Sequence, residues 1–209
     1  MMATTHAFAG VTIAAAVALL APELALVAAV AAIWGGVFPD LDLYAGHRKT
    51  LHFPVYYSAG AALTAPAALL APSTATVALA VFLAAAALHC VSDALGGGLE
   101  PRPWEATSER AVYDHVRGRW IRPRRWVAYD GSPGDLALAA VLALPGLLVF
   151  DGRVHDLLVV LLVVSIGYAV VRKPLPAVAE RLLGRLPPTV VASLPAELRA
   201  FSDDDRDRR

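Results

Sequence analysis

Cysteine is nearly absent. Cys90 is the only one, which excludes a disulfide framework and a multi-cysteine zinc site. Charge is scarce too: Asp, Glu, Lys and Arg make up 17% of the chain, where a soluble domain carries about a quarter. The two signs cancel at 18 each, so no global field recruits a polyanion. The opening residues carry no basic segment and no small-residue cleavage site follows them, and a removable signal peptide is not expected. Period-two alternation is also missing from the apolar runs, which argues against a transmembrane β-barrel.

What fills the chain is apolar sequence, 57% of 209 residues, gathered into six blocks: Ala7–Ala21, Leu24–Phe38, Phe53–Ala71, Thr74–Leu95, Leu136–Phe150 and Leu157–Val171. A perpendicular membrane crossing takes about 20 apolar residues. The third, fourth and sixth blocks meet or approach that length; the others are shorter. Six such helices leave too little polar surface to be wrapped in water. The expected fold is therefore all-α, a polytopic membrane helical bundle of about six spans.

The charges between the blocks give an orientation. With the N-terminus cytoplasmic, residues 39–52, residues 96–135 and the C-terminal segment all lie inside. They hold every Lys and Arg except Arg153, a positive-inside pattern that places both termini at the cytoplasmic face of an inner or plasma membrane. Four parts follow: a bundle of four spans over residues 1–95, a basic cytoplasmic loop between spans four and five over 96–134, two further spans over 135–171, and a cytoplasmic segment over 172–209. In the last, Pro174–Leu186 and Ala196–Phe201 read as amphipathic surface helices, and the charge-dense Ser202–Arg209 reads as disordered. Small residues such as Gly10, Gly35, Gly36 and Gly60 let the first four helices approach closely in lipid.

Ionisable residues next to the apolar blocks gather at one membrane face whichever way the chain is oriented. His6 opens the first span, Asp40 and Asp42 follow the second, and His47, Arg48 and His52 lead into the third. His89 and Asp93 end the fourth. His89 and Asp93 are i,i+4 and share a helix face. Asp40 and Asp42 are i,i+2 and share a side if the turn after Pro39 is extended. Imidazole nitrogen with carboxylate oxygen suits Zn, Mn or Fe, and there are donors enough for one or two divalent ions. Each residue alone has a plain reading as a helix-end polar contact. Jointly they outweigh it, because ionisable groups at membrane depth cost roughly 2.5–3.5 kcal/mol on insertion scales.

The combination of the starting His6, Pro39-Asp40-Leu41-Asp42, His47-Arg48 with His52 five residues on, and His89-x-x-x-Asp93 resembles the YdjM-like family of inner-membrane metal-dependent hydrolases. The resemblance covers residues 4–100. It implies metal ligands at His6, Asp40, Asp42, His47, His89 and Asp93, with His52 as ligand or general base and Arg48 stabilising charge on the substrate. Two departures stand out: Leu51-His52-Phe53 where the family often has Thr-His-Ser, and a long basic loop after Asp93.

That loop carries Arg102, Arg110, Arg117, Arg119, Arg122, Arg124 and Arg125 among Trp104, Trp120, Trp126 and Tyr129. It reads first as an interfacial segment meeting anionic headgroups. A second reading has its arginines, with Arg48, hold a phosphorylated substrate or headgroup. Nucleic-acid binding ranks last, since no binding module accompanies the basic residues. Glu100, Glu105, Asp114 and His115 read as solvated loop charges. The expected reaction is hydrolysis, most plausibly of a phosphoester at the membrane, and the alternative is a transporter or metal-binding scaffold. Mid-span positions of almost pure Ala, Val and Leu favour a site at one end over a conduit.

Overall fold

A computed structural model describes the backbone of residues 1–207 and side chains through Phe201. Six long helices follow the six apolar blocks: α1 (Ala3–Leu20), α2 (Ala25–Val37), α3 (Pro54–Leu70), α4 (Thr74–Asp93), α5 (Pro133–Val149) and α6 (Gly152–Val171). Their starts are written locally. Pro54 and Pro133 open α3 and α5, where a missing N–H costs nothing. Ser73 closes a capping box on α4, accepting from the Thr76 N–H at 3.2 Å while its own N–H donates to Thr76 Oγ1 at 2.9 Å.

Four segments are long and apolar enough to cross a membrane: Ala3–Leu20, Pro22–Asp42, Thr74–Asp93 and Gly152–Val171. The second reaches 21 residues because 3-10 turns at Pro22–Leu24 and Phe38–Asp42 extend α2 at both ends. Helices α3 and α5 have 17 residues each, about 25 Å at 1.5 Å per residue against a hydrocarbon core of about 30 Å. Large apolar side chains point outward on every one of these helices, among them Leu20, Leu63, Leu70, Leu148 and Val170. Such a surface suits lipid and not water.

Helix α1 lies at the centre, packed on α2, α4, α5 and α6, and α2 in turn packs on α4. Small residues permit this. A Cβ on Gly36 of α2 would stand 2.7 Å from the His6 carbonyl oxygen and 2.8 Å from Ala7 Cα, so only glycine lets α2 touch the start of α1. A Cβ on Gly10 would stand 2.6 Å from the Ala32 carbonyl oxygen and 2.9 Å from Ala85 Cβ, at the crossing of α1, α2 and α4. Helix α5 is pinned to α1 by Asp135, whose carboxylate accepts from the Met2 N–H at 2.7 Å, the Thr5 hydroxyl at 2.8 Å and the Gly131 N–H at 2.9 Å.

Residues 96–134 are more ordered than an interfacial loop. They form a two-stranded antiparallel hairpin, β1 (Val112–Asp114) with β2 (Arg119–Ile121), tied to the bundle end by the Tyr113 N–H donating to the Arg48 carbonyl at 2.9 Å. Asp114 and His115 are not solvated charges. Asp114 is buried and its Oδ1 accepts from the Val116 and Arg117 N–H groups, at 3.0 and 3.1 Å. His115 Nε2 meets the Lys49 carbonyl at 2.7 Å.

The C-terminal segment holds α7 (Leu175–Leu183), α8 (Pro188–Ala192) and α9 (Ala196–Asp207). It returns to the same end: Arg102 pairs with Glu180 at 2.5 Å, and Glu197 accepts from the Gly46 N–H at 3.0 Å. The charged tail, expected to be disordered, continues α9 to Asp207. The Ser and four Asp that end this helix come without a helix-breaking Gly or Pro, so backbone propagation prevails. Arg208 and Arg209 lie outside the described residues.

Replacing Gly36 with Ala drives a methyl group into the α1 backbone. The expected loss is about 1–3 kcal/mol, read as a lowered thermal transition of the detergent-solubilised protein. A transition unchanged from the parent would mean that α1 and α2 do not meet at this residue.

Candidate metal centre

Four side-chain atoms converge at the end of the bundle where α2 and α4 stop and α3 begins. His52 Nε2 and His89 Nε2 are 3.2 Å apart. Asp93 Oδ2 lies 3.3 Å from the first and 3.4 Å from the second. Asp40 Oδ1 lies 3.7 Å from His52 Nε2 and 3.4 Å from His89 Nε2. A tetrahedral ion with bonds of ~2.0–2.1 Å holds its donor atoms ~3.3–3.4 Å apart, and these separations bracket that value.

The opposite edges of the two imidazoles fix which nitrogen faces inward. His89 Nδ1 stands 2.6 Å from the Gly36 carbonyl oxygen, which can only accept. His52 Nδ1 stands 3.0 Å from Asp42 Oδ2, the carboxylate–histidine pairing common behind metal ligands. With both Nδ1 atoms donating, neutral rings turn two Nε2 lone pairs toward each other and toward two carboxylate oxygens. Asp93 Oδ2 is fully buried and accepts no hydrogen bond among the described residues. Protonating both rings would instead set two positive charges 3.2 Å apart at their nitrogens, each N–H turned to a carboxylate oxygen. One divalent cation satisfies all four atoms at once.

Burial works against a charged imidazole at His52, yet the neighbouring Asp42 and Asp93 carboxylates outweigh it and raise its pKa above the ordinary histidine value, so that positive charge, as a proton or as a metal ion, is favoured at this point. Asp93 sits in the last turn of α4, where the helix dipole is unfavourable to a carboxylate. Its Oδ1 is balanced by Arg48 at 3.6 Å, the Met1 amine at 3.7 Å and His6 Nε2 at 3.2 Å. Its Oδ2 is left for the centre.

The sequence-derived set thus divides by position. His89, Asp93 and Asp40 stand where ligands were expected, and His52 joins them with its Nε2 turned inward. Asp42 does not point with Asp40. Pro39 opens a 3-10 turn at Phe38–Asp42 instead of an extended one, so the two carboxylates diverge. Asp42 is spent behind the centre, Oδ2 on His52 Nδ1 and on the Leu51 N–H at 3.0 Å, Oδ1 on His47 Nδ1 at 3.1 Å. His47 therefore braces Asp42, although it also offers a donor atom within 4.8 Å of those of Asp40 and His52.

His6 stacks on the His89 ring, centroids 3.8 Å apart, with Nδ1 3.1 Å from Ser92 Oγ. Its Nε2 is buried without a hydrogen-bond partner and faces Asp93 Oδ1 rather than Oδ2. Arg48 is 7% exposed and its guanidinium is engaged: Nη1 donates to the Gly97 carbonyl at 2.8 Å and Nη2 faces Asp93. It adopts a left-handed backbone, φ 59°, strain of a kind that accumulates at sites held by their surroundings. It clamps the 39–52 loop to the end of α4 and to the hairpin. His6 also offers a donor atom within 4.8 Å of those of His89 and Asp93, whereas Cys90 is buried and joins neither that trio nor Asp40, His47 and His52.

Sequence reasoning did not find the Gly36 carbonyl, Ser92 or the bracing role of Asp42. The first two carry no ionisable side chain, and the third shows only in three dimensions. The purified protein is expected to hold a divalent ion that Asp93→Ala loses, while Asp42→Asn retains it with about 10–100-fold weaker affinity. Elemental analysis and competitive chelation measure both, and equal affinity in all three proteins would refute the assignment. No family model matches the chain, and no curated protein or solved structure matches it either, so this centre is read from its own geometry.

Proposed function

We propose that this is a membrane-embedded, metal-dependent hydrolase whose ion is held by His52, His89, Asp40 and Asp93. The observation that carries the reading is the convergence of two imidazole nitrogens and two carboxylate oxygens, with separations of 3.2–3.7 Å, at one buried point. The site lies at the polar end of the bundle, and Asp40 is its most exposed member, at 23% of its side chain. Substrate approaches from that side. A divalent cation in such a setting acidifies water and polarises the oxygen of a scissile bond.

The chain's own residues supply the rest. Asp42 and the Gly36 carbonyl hold the two imidazoles in the tautomer and orientation that turn Nε2 inward. His6 Nε2, buried and unpartnered beside Asp93, is the group placed to take a proton during the reaction. Arg48, given to substrate charge in the sequence reading, here neutralises Asp93 and locks three segments together. Substrate charge falls instead to the arginines of the hairpin. A phosphoester carried on a lipid or at the membrane surface remains the expected substrate class. Six spans, with both termini cytoplasmic, follow from the positive-inside pattern and from the return of the C-terminal helices to the Gly46 and Arg102 end.

One observation favours a second reading. Four protein donors close a tetrahedron, as in structural zinc sites, whereas catalytic ones keep a position open. The two readings separate on His6. In the hydrolase, His6→Gln retains the ion and lowers the turnover of a phosphodiester such as bis(p-nitrophenyl) phosphate on the order of 10²-fold or more. If the metal-loaded parent hydrolyses neither soluble phosphoesters nor phospholipid vesicles, with Zn, Mn or Fe, the centre is a structural one.

A further inference from the structure

Two cavities flank one short stretch of backbone at the metal end of the bundle. The first, of about 430 Å³, lies on the hairpin and is lined by Arg117, Arg119, Trp120, Arg122 and Arg124 with Asp114 at its edge. Arg117 faces Asp114 at 3.5 Å and Arg122 pairs with Glu109 at 3.1 Å. Among the described residues, Arg119 and Arg124 have no carboxylate partner. The cavity thus concentrates guanidinium groups in excess of the acids that face them, the arrangement that grips a phosphate through paired N–H donors.

The second cavity, of about 220 Å³, is apolar. It opens between α1, α4 and α5 and is lined by Ala9, Leu88, Leu138, Leu142 and Trp126, with His6 at its polar end. Its walls come from the first turns of α1 and α5 and the last turns of α4, so it lies just inside the apolar layer, beneath the loop. Trp126 is 74% exposed, as befits an indole at a membrane boundary.

Arg124 and Trp126 join the two cavities. They are two residues apart, at most about 7 Å along the chain, on a stretch fastened to the end of α4. The Arg124 N–H donates to the Ala94 carbonyl at 2.8 Å, and the Val127 N–H donates to the Leu95 carbonyl at 3.2 Å. A basic cavity above and an apolar cavity below one anchored strand match an amphiphile with an anionic head. We infer that the two cavities form one site for an anionic phospholipid, its phosphate among the hairpin arginines and an acyl chain between α1, α4 and α5. The apolar half ends at His6, which brings the bound lipid to the edge of the metal centre. The inference rests on the membrane-embedded reading; it does not require that the protein hydrolyse anything.

Native mass spectrometry of the full chain in detergent, titrated with phosphatidylglycerol or with phosphatidylcholine, tests it. The parent is expected to retain one phosphatidylglycerol at least tenfold more tightly than phosphatidylcholine. Arg119→Gln/Arg124→Gln should lose that preference, and Leu142→Trp, which fills the apolar half, should weaken retention at least tenfold. Leu138→Phe replaces Leu142→Trp if the latter fails to fold, as judged by its thermal transition. Equal retention of both lipids, loss with only one of the two changes, or displacement of the lipid by millimolar inorganic phosphate would each overturn the bipartite site. Metal content measured on the same samples separates this failure from failure of the metal centre: lipid loss with the ion retained bears on the lipid site alone.

Discussion

Two imidazole nitrogens and two carboxylate oxygens are held close together at a point where three of the four residues are buried and only Asp40 is partly exposed. Much of the molecule's polar architecture answers that constraint. Unmet, such a cluster is repulsive, and ionised groups in a low-dielectric setting are costly. Hence the Gly36 carbonyl and Asp42 fix the rings from behind, Arg48 neutralises one oxygen of Asp93, and His47 occupies the far oxygen of Asp42. Immediately around the cluster, Arg48 and the Met1 amine face three carboxylates, Asp40, Asp42 and Asp93, and a divalent cation would offset the remainder.

Helix packing delivers these groups to one point. In lipid no hydrophobic force draws helices together, so association relies on close van der Waals contact. The glycines of α1 and α2 supply it. Gly36 serves twice: its missing side chain admits the start of α1, which carries His6, and its carbonyl takes the Nδ1 proton of His89. A bulkier residue would move the ring partner and His6 together. Packing and chemistry are therefore coupled through one residue that has no side chain.

Much of this was legible in the sequence. The apolar blocks located all six long helices, and the i,i+4 spacing put His89 and Asp93 on one face. Clustering of ionisable residues at block ends picked out the His and Asp residues that the fold brings together at one end of the bundle. Three features were hidden for physical reasons. Asp40 and Asp42 were read as parallel because an i,i+2 pair is parallel only in extended backbone, and Pro39 set a 3-10 turn instead. Arg48 was assigned to substrate because a guanidinium in a loop looks available; its left-handed backbone folds it inward onto Gly97 and Asp93. The hairpin was read as a loop because three-residue strands leave no periodicity to detect. The resemblance to the YdjM-like family rests on the same residues and has no support from the comparisons.

The order around the centre also explains why its pieces lie far apart in the chain. The four converging residues ride on three elements: Asp40 on the turn ending α2, His52 on the lead into α3, and His89 and Asp93 at the end of α4. No single helix carries enough donors to bind an ion before the bundle forms, so occupancy reports on assembly. The hairpin and the C-terminal helices then close over this end through Tyr113 on Arg48, Glu197 on Gly46 and Glu180 on Arg102. Two of these contacts fall on the 39–52 segment and the third on the segment that follows α4. Such a cover holds the 39–52 segment in place while the Asp40 side chain stays partly exposed at the edge of the cluster.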